Sequence, residues 1–109
     1  MLIIVPDSKL RAACQCRKLA IREFGNPAGC RLIQRVCELM AADSMDDFRN
    51  AHVSEVTIGD PPPDTTIQVH VKDSLNLVLR PVCAPTPDDS AQAMNWAAIK
   101  EIELLTIAR

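Results

Sequence analysis

At 109 residues with 48 % apolar side chains, the chain has the length and composition of one globular domain: enough for two packed layers, too little for two separate cores. A formal net charge of −2 excludes a general electrostatic drive toward nucleic acid, so any RNA or DNA contact has to come from a local basic patch. Aromatic residues are confined to Phe24, Phe48 and Trp96.

In chain order, the apolar run 2–5 reads as a short buried strand that Pro6-Asp7 ends at once. That ending argues against a secretory leader, and no stretch approaches the roughly 20 apolar residues of a membrane span. Asp7 or Ser8 can cap a helix over 9–24, with Leu10, Ala13, Cys14, Ala20, Ile21 and Phe24 on its apolar side. Gly25 suits the position after a helix, and Asn26-Pro27 reads as an N-cap followed by proline at the first helical position. The second helix, 27–42, carries Leu32, Ile33, Val36, Leu39 and Met40 at helical spacing. So short a link makes the two helices an antiparallel hairpin. Ser44-Met45-Asp46-Asp47 resembles a capping box and starts a single turn ending near Arg49. Residues 53–58 form a weaker strand, which the three prolines in 59–64 cannot continue.

Two stronger strands follow, over 66–71 and 75–80, each alternating apolar and polar residues. A three-residue connection, Asp73-Ser74-Leu75, opposes Lys72 to Asn76, His70 to Val78 and Gln68 to Arg80. It puts Ile67, Val69, Val71, Leu75, Leu77 and Leu79 on one face, whereas a two-residue turn mixes the faces by bringing His70 to Leu77. The expected sheet thus has one apolar face and one bearing Gln68, His70, Lys72, Asn76 and Arg80. A Pro/Asp-rich loop spans 82–94, and the last strand covers about 100–107. Helices grouped ahead of strands indicate a two-layer α+β domain, a single unit over 1–109, with the helix pair on the apolar face of a mostly antiparallel sheet.

The five cysteines, Cys14, Cys16, Cys30, Cys37 and Cys83, include no CxxC pair. Reduced, partly buried thiols are the simpler reading, and neither a metal nor a cofactor is expected.

Several segments together resemble the RelE/ParE toxin superfamily, in its HigB-like killer or plasmid-maintenance branch. They are Arg17-Lys18-Leu19-Ala20 leading to Phe24-Gly25, Leu39-Met40-Ala41-Ala42 with Met45-Asp46-Asp47-Phe48-Arg49, Leu75-Asn76-Leu77-Val78-Leu79-Arg80-Pro81, and Met94-Asn95-Trp96-Ala97-Ala98-Ile99 entering the last strand. The resemblance implies a RelE/ParE-like fold and a small cytoplasmic toxin. Its partner would be an antitoxin with a helix-turn-helix domain, and its target ribosome-bound mRNA, cleaved as an endoribonuclease. The branch pattern of His-Glu-Leu followed by Gly-Asp-Arg corresponds to 53–61, where Gly59-Asp60 matches and Pro61 replaces the arginine. The strand arginine of the family falls on Asn76, and its closing acidic pair with Tyr-His has no counterpart in the sequence. These departures imply cleavage well below that of a complete member, and they keep open a non-catalytic binding module or a gyrase-directed ParE-like action.

RNA cleavage through the 2′-hydroxyl needs proton transfer and cations on the phosphate. His70 can shuttle a proton near neutrality, and Lys72 and Arg80 can bind phosphate, so these three are the candidate catalytic residues, with a solvated sheet surface as the plain alternative. Lys9, Arg11, Arg17, Lys18, Arg22, Arg31 and Arg35 form a basic helical hairpin that would dock on ribosomal RNA, or simply face water. His52 reads as a surface residue. Glu101, Glu103 and Asp88-Asp89 would repel phosphate if they lined the cleft, and Trp96 anchors the start of the last strand.

Overall fold

The computed structural model describes residues 1–58, 66–82 and 96–108. The readings placed on Gly59-Asp60, the triple proline, Cys83, Asp88-Asp89 and Met94-Asn95 lie outside the described residues.

The fold is the expected two-layer α+β arrangement. Strand β1 (Leu2–Ile4) is followed by helices α1 (Ser8–Gln15), α2 (Arg17–Phe24), α3 (Ala28–Ala41) and α4 (Met45–Ala51). Strands β2 (Val56–Ile58), β3 (Ile67–Lys72), β4 (Leu75–Pro81) and β5 (Glu101–Ala108) complete one sheet in the order β1-β5-β4-β3-β2. β1 pairs with β5 in parallel and every other pairing is antiparallel. Single 3-10 turns precede β2 (Val53–Glu55) and β5 (Trp96–Ala98).

The core lies between the layers. Ile67, Val69, Val71, Leu75, Leu77 and Leu79 are buried, with Ile102, Leu104 and Ile107 from β5 and Leu32, Val36, Leu39, Met45 and Phe48 from the helices. At roughly 1.5–3 kcal/mol per buried side chain, this contact is the main stabilising term.

The first helix is broken in two. Asp7 caps α1 by accepting from the Lys9 and Leu10 amides at 2.8 and 3.1 Å. The chain then turns extended at Cys16 (φ −136°, ψ 116°), whose carbonyl accepts the Ala20 amide and opens α2. The apolar stripe explains the break. In one continuous helix Arg17 and Lys18 would stand four residues after Ala13 and Cys14, on the buried face. Re-phasing at Cys16 leaves both exposed and returns Ala20 to the core.

Gly25 has φ +86°, a conformation that costs glycine little. Asn26 does not cap α3: Pro27 holds that position without a side-chain cap bond, and Ala28 is the first helical residue. Gly29 lets α2 and α3 meet, because a Cβ there would lie 2.5 Å from the Ile21 nitrogen and 2.6 Å from the Ala20 carbonyl carbon. Met40, expected in the stripe, is 57 % exposed. Ser44 caps α4 by accepting from the Asp47 amide, and α4 runs a residue pair past Arg49. The Met45 amide then donates to the Ile99 carbonyl, tying α4 to the entry of β5.

The β3–β4 register differs from the expectation by two residues. Asp73 and Ser74 make a two-residue turn, with Asp73 at φ +54°, and Lys72 pairs with Leu75. A bulge at Val71 then shifts the ladder, so His70 opposes Asn76, Val69 opposes Leu77 and Gln68 opposes Val78. Turn plus bulge restores the parity that the turn alone would break, so the two faces stay unmixed. A second bulge, at Leu105 in β5, sends Leu105 and Thr106 outward while Leu104 and Ile107 both point in.

Candidate functional site

The helices cover one sheet face, and the polar residues of the strands occupy the other. Its cross-strand rows follow from the register. Thr57, Gln68, Val78 and Thr106 form one row, and His70, Asn76 and Ala108 the next toward the turn. Arg80 lies opposite Glu103, which stands beside Ile4, and Glu101 stands beside Leu2. The face therefore grades from neutral polar groups around His70 to carboxylates between exposed apolar side chains at β1.

This geometry separates the three candidate catalytic residues. His70 and Arg80 are four residues apart along the ladder through Asn76, roughly 13 Å at about 3.3 Å per residue. Arg80 is held in an ion pair with Glu103. Lys72 lies past the bulge and lines a hollow of about 190 Å³ with Phe24, Ala28, Asp73 and Ser74, toward the helix layer. One phosphate group cannot meet all three. His70 is half-buried, and Asn76 opposite it donates its amide to the Ser74 carbonyl.

The basic hairpin is present on the surface with one exception. Lys9, Arg11, Arg17, Lys18, Arg22 and Arg31 are exposed, with Lys9 3.8 Å from Glu23. Arg35 is buried, and its expected contact with ribosomal RNA is not available to it. It sits at the i+3 position from Leu32, inside the apolar stripe that also carries Val36 and Leu39, and that position is the sequence signal for its burial. Its Nε donates to the His70 carbonyl at 3.1 Å, and one terminal nitrogen lies 3.0 Å from the Glu38 Oε1 and 3.2 Å from the His52 Nδ1.

Arg35 thus joins α3 to β3 and, through His52, to the end of α4. A guanidinium can only donate, so the His52 Nδ1 is the accepting, unprotonated nitrogen. The opposite Nε2 lies 4.0 Å from Glu38, and the ring packs on Phe48 with centroids 4.5 Å apart. His52, expected as a plain surface residue, is instead part of this connection. Beside it α3 and α4 leave a groove of about 300 Å³, floored by Ala41, Ala42, Phe48 and Ala51 and edged by Glu38, Asp47 and His52.

Trp96 is half-buried against the core, with the Arg49 guanidinium 4.6 Å above its ring and Asp46 3.6 Å from that guanidinium. Burial pushes the Cys14 thiol above its ordinary pKa, so it is a poor nucleophile. Among the described residues, no group of His, Cys, Asp or Glu is clustered to hold a metal ion, and no helix is long and apolar enough to cross a membrane. Comparisons with protein-family models, curated proteins and solved structures gave no match.

Proposed function

We propose that this chain is the toxin half of a toxin–antitoxin pair, a RelE/ParE-like cytoplasmic protein acting on ribosome-bound mRNA, with cleavage chemistry much reduced from that of a complete HigB-like member. The observation that carries the reading is the division of labour between layers. The helix layer turns six cations outward, as ribosomal RNA docking requires, while the other sheet face carries half-buried Gln68, His70 and Asn76 with exposed Thr57 and Thr106 beside them. On that face His70 would move the proton at the attacking 2′-hydroxyl. Arg80, paired with Glu103 on that face, and Lys72, past the bulge beside the hollow toward the helix layer, would contact phosphates at separate positions along the strand of RNA rather than at the scissile group. Asn76, opposite His70, offers a neutral amide where charge stabilisation calls for a cation, and one lost donor of that kind typically lowers a rate by about 10²–10³.

A second reading, a non-catalytic binding module on the same fold, is favoured by one specific observation: Arg80 is neutralised by Glu103, and the nearby Glu101 adds a further negative charge. Cell growth after induction, with mRNA ends mapped during translation, separates the two. Growth arrest with new ends in translated messages, relieved by His70→Ala with Arg80→Ala, supports the toxin. Arrest unchanged in that double variant places the chemistry elsewhere, and absence of arrest supports the binding module. Co-expression with the adjacent reading frame, followed by size exclusion, tests the antitoxin; separate migration of the two products at micromolar concentration counts against it.

A further inference from the structure

Arg35 is a buried cation that the proposed chemistry leaves unused, and it touches the backbone of the residue on which that chemistry depends. Its side chain is 6 % exposed, and its Nε donates to the His70 carbonyl at 3.1 Å. The place of that carbonyl on β3 explains the contact. β2 begins at Val56, opposite Val69, so its pairing stops one residue short of His70. Directly after His70 the β3–β4 ladder is interrupted by the bulge at Val71. A carbonyl between the end of a neighbouring strand and a bulge needs another donor, because an unmade bond costs the desolvation of the group. The guanidinium supplies it from α3. It is itself held in place, since one terminal nitrogen lies 3.0 Å from the Glu38 Oε1 and 3.2 Å from the His52 Nδ1. A planar fork bonded on two edges cannot turn without breaking one of them.

We infer that Arg35 is the positioning residue of His70: by holding the His70 carbonyl it fixes the backbone at the Val71 bulge, and so sets where the imidazole stands on the polar sheet face. Among the described residues no hydrogen bond holds the imidazole itself, and the Asn76 amide opposite it is turned to the Ser74 carbonyl. The ring therefore takes its place from its own backbone. A bulge re-aims the side chains beside it, so a bulge left loose leaves His70 without a fixed direction. Proton transfer by His70, the role proposed above and the one on which this rests, needs the ring within hydrogen-bond reach of the hydroxyl. A displacement of about 1 Å lowers such a rate by about 10²-fold. Arg35 reaches β3 from the helix layer and acts on the reaction only through His70.

Arg35→Lys keeps the charge and loses the planar fork, and His52→Ala removes only the outer partner of the guanidinium. Gly29→Ala, which strains the α2–α3 contact away from β3, controls for general destabilisation. Circular dichroism checks the fold of each. Amide hydrogen exchange and the imidazole signals in two-dimensional NMR report on position without any reaction. Arg35→Lys should speed exchange across residues 70–72 at least tenfold more than at Val69 and Leu77, and should shift or split the His70 ring signals. His52→Ala should move both readouts in the same direction by a smaller factor, and Gly29→Ala should leave the ring signals in place. In ribosome-dependent cleavage, Arg35→Lys should lower kcat at least tenfold with KM within about twofold. Added to His70→Ala, it should lower the rate less than twofold further, because it acts through that ring. Exchange accelerated uniformly through the sheet, His70 signals unchanged in Arg35→Lys and His52→Ala, or a loss that adds in full to that of His70→Ala would each overturn the inference. Absence of cleavage by the unmodified chain removes the nuclease reading alone, and the exchange and ring signals then decide whether Arg35 positions His70.

Discussion

Replacing Arg35 with alanine should destabilise the domain by about 3–5 kcal/mol, the range for breaking a buried charged contact by removing one partner. The side chain is 6 % exposed and serves three acceptors on three elements: the His70 carbonyl of β3, Glu38 of α3 and His52 after α4. A bond from a charged donor contributes about 1.5–3 kcal/mol, and the buried methylene stem adds about 0.8 kcal/mol per group. These contributions do not add. Glu38 is 31 % exposed and recovers water when its partner leaves, which keeps the loss below the simple sum. With a urea slope of about 1–3 kcal/mol/M, the midpoint should fall by roughly 2 M. Arg35→Lys should recover only part of the loss, because an ammonium cannot span the three acceptors with a planar fork. Urea unfolding followed by circular dichroism and by Trp96 fluorescence provides the assay, since Trp96 packs under Arg49 of α4 and reports on that helix. An Arg35→Ala variant within 1 kcal/mol of the unmodified chain would refute the reasoning.

Other consequences are simpler to read. Leu77→Ala, at a fully buried position in β4, should cost about 2–5 kcal/mol by urea unfolding, and a cost under 1 kcal/mol would contradict the packing described. Gly29→Ala should cost about 1–3 kcal/mol, because its Cβ would meet the backbone of α2; a neutral or stabilising effect would show that α2 and α3 are not so close. Iodoacetamide at pH 8 should modify exposed Cys37 well before buried Cys14, as mass spectrometry of the labelled peptides would reveal. The Cys14 pKa is raised on folding, so its contribution to stability holds below the ordinary thiol value of 9.0 and is lost as pH rises through the folded value; the Cys14→Ser variant should lack that alkaline loss.

The layers of this fold were legible because its apolar periodicities are strong. The stripe of Leu32, Val36 and Leu39 and the alternation from Ile67 to Leu79 each define one buried face, and both are buried as expected. The register was not legible, since parity fixes which face a residue takes and leaves displacement by two residues undetermined. A two-residue turn alone mixes the faces, and the bulge at Val71 that restores them has no mark in the sequence. The break at Cys16 had a readable sign in Arg17 and Lys18 falling on the apolar side, although neither glycine nor proline marks it. The polar sheet face was foreseen, whereas the distances among His70, Lys72 and Arg80 depend on the register and the bulge. The Arg35–Glu38–His52 connection required knowing that α4 returns against α3, which no local pattern encodes.

The most direct measurement of the proposed function is cleavage of a defined mRNA in a purified translation system, read by primer extension with and without ribosomes. The account predicts weak but ribosome-dependent cleavage, reduced at least tenfold by His70→Ala in protein that remains folded. Cleavage equal in the unmodified chain and the His70→Ala variant would contradict the assignment of the polar sheet face, and no cleavage above background would contradict the nuclease reading itself.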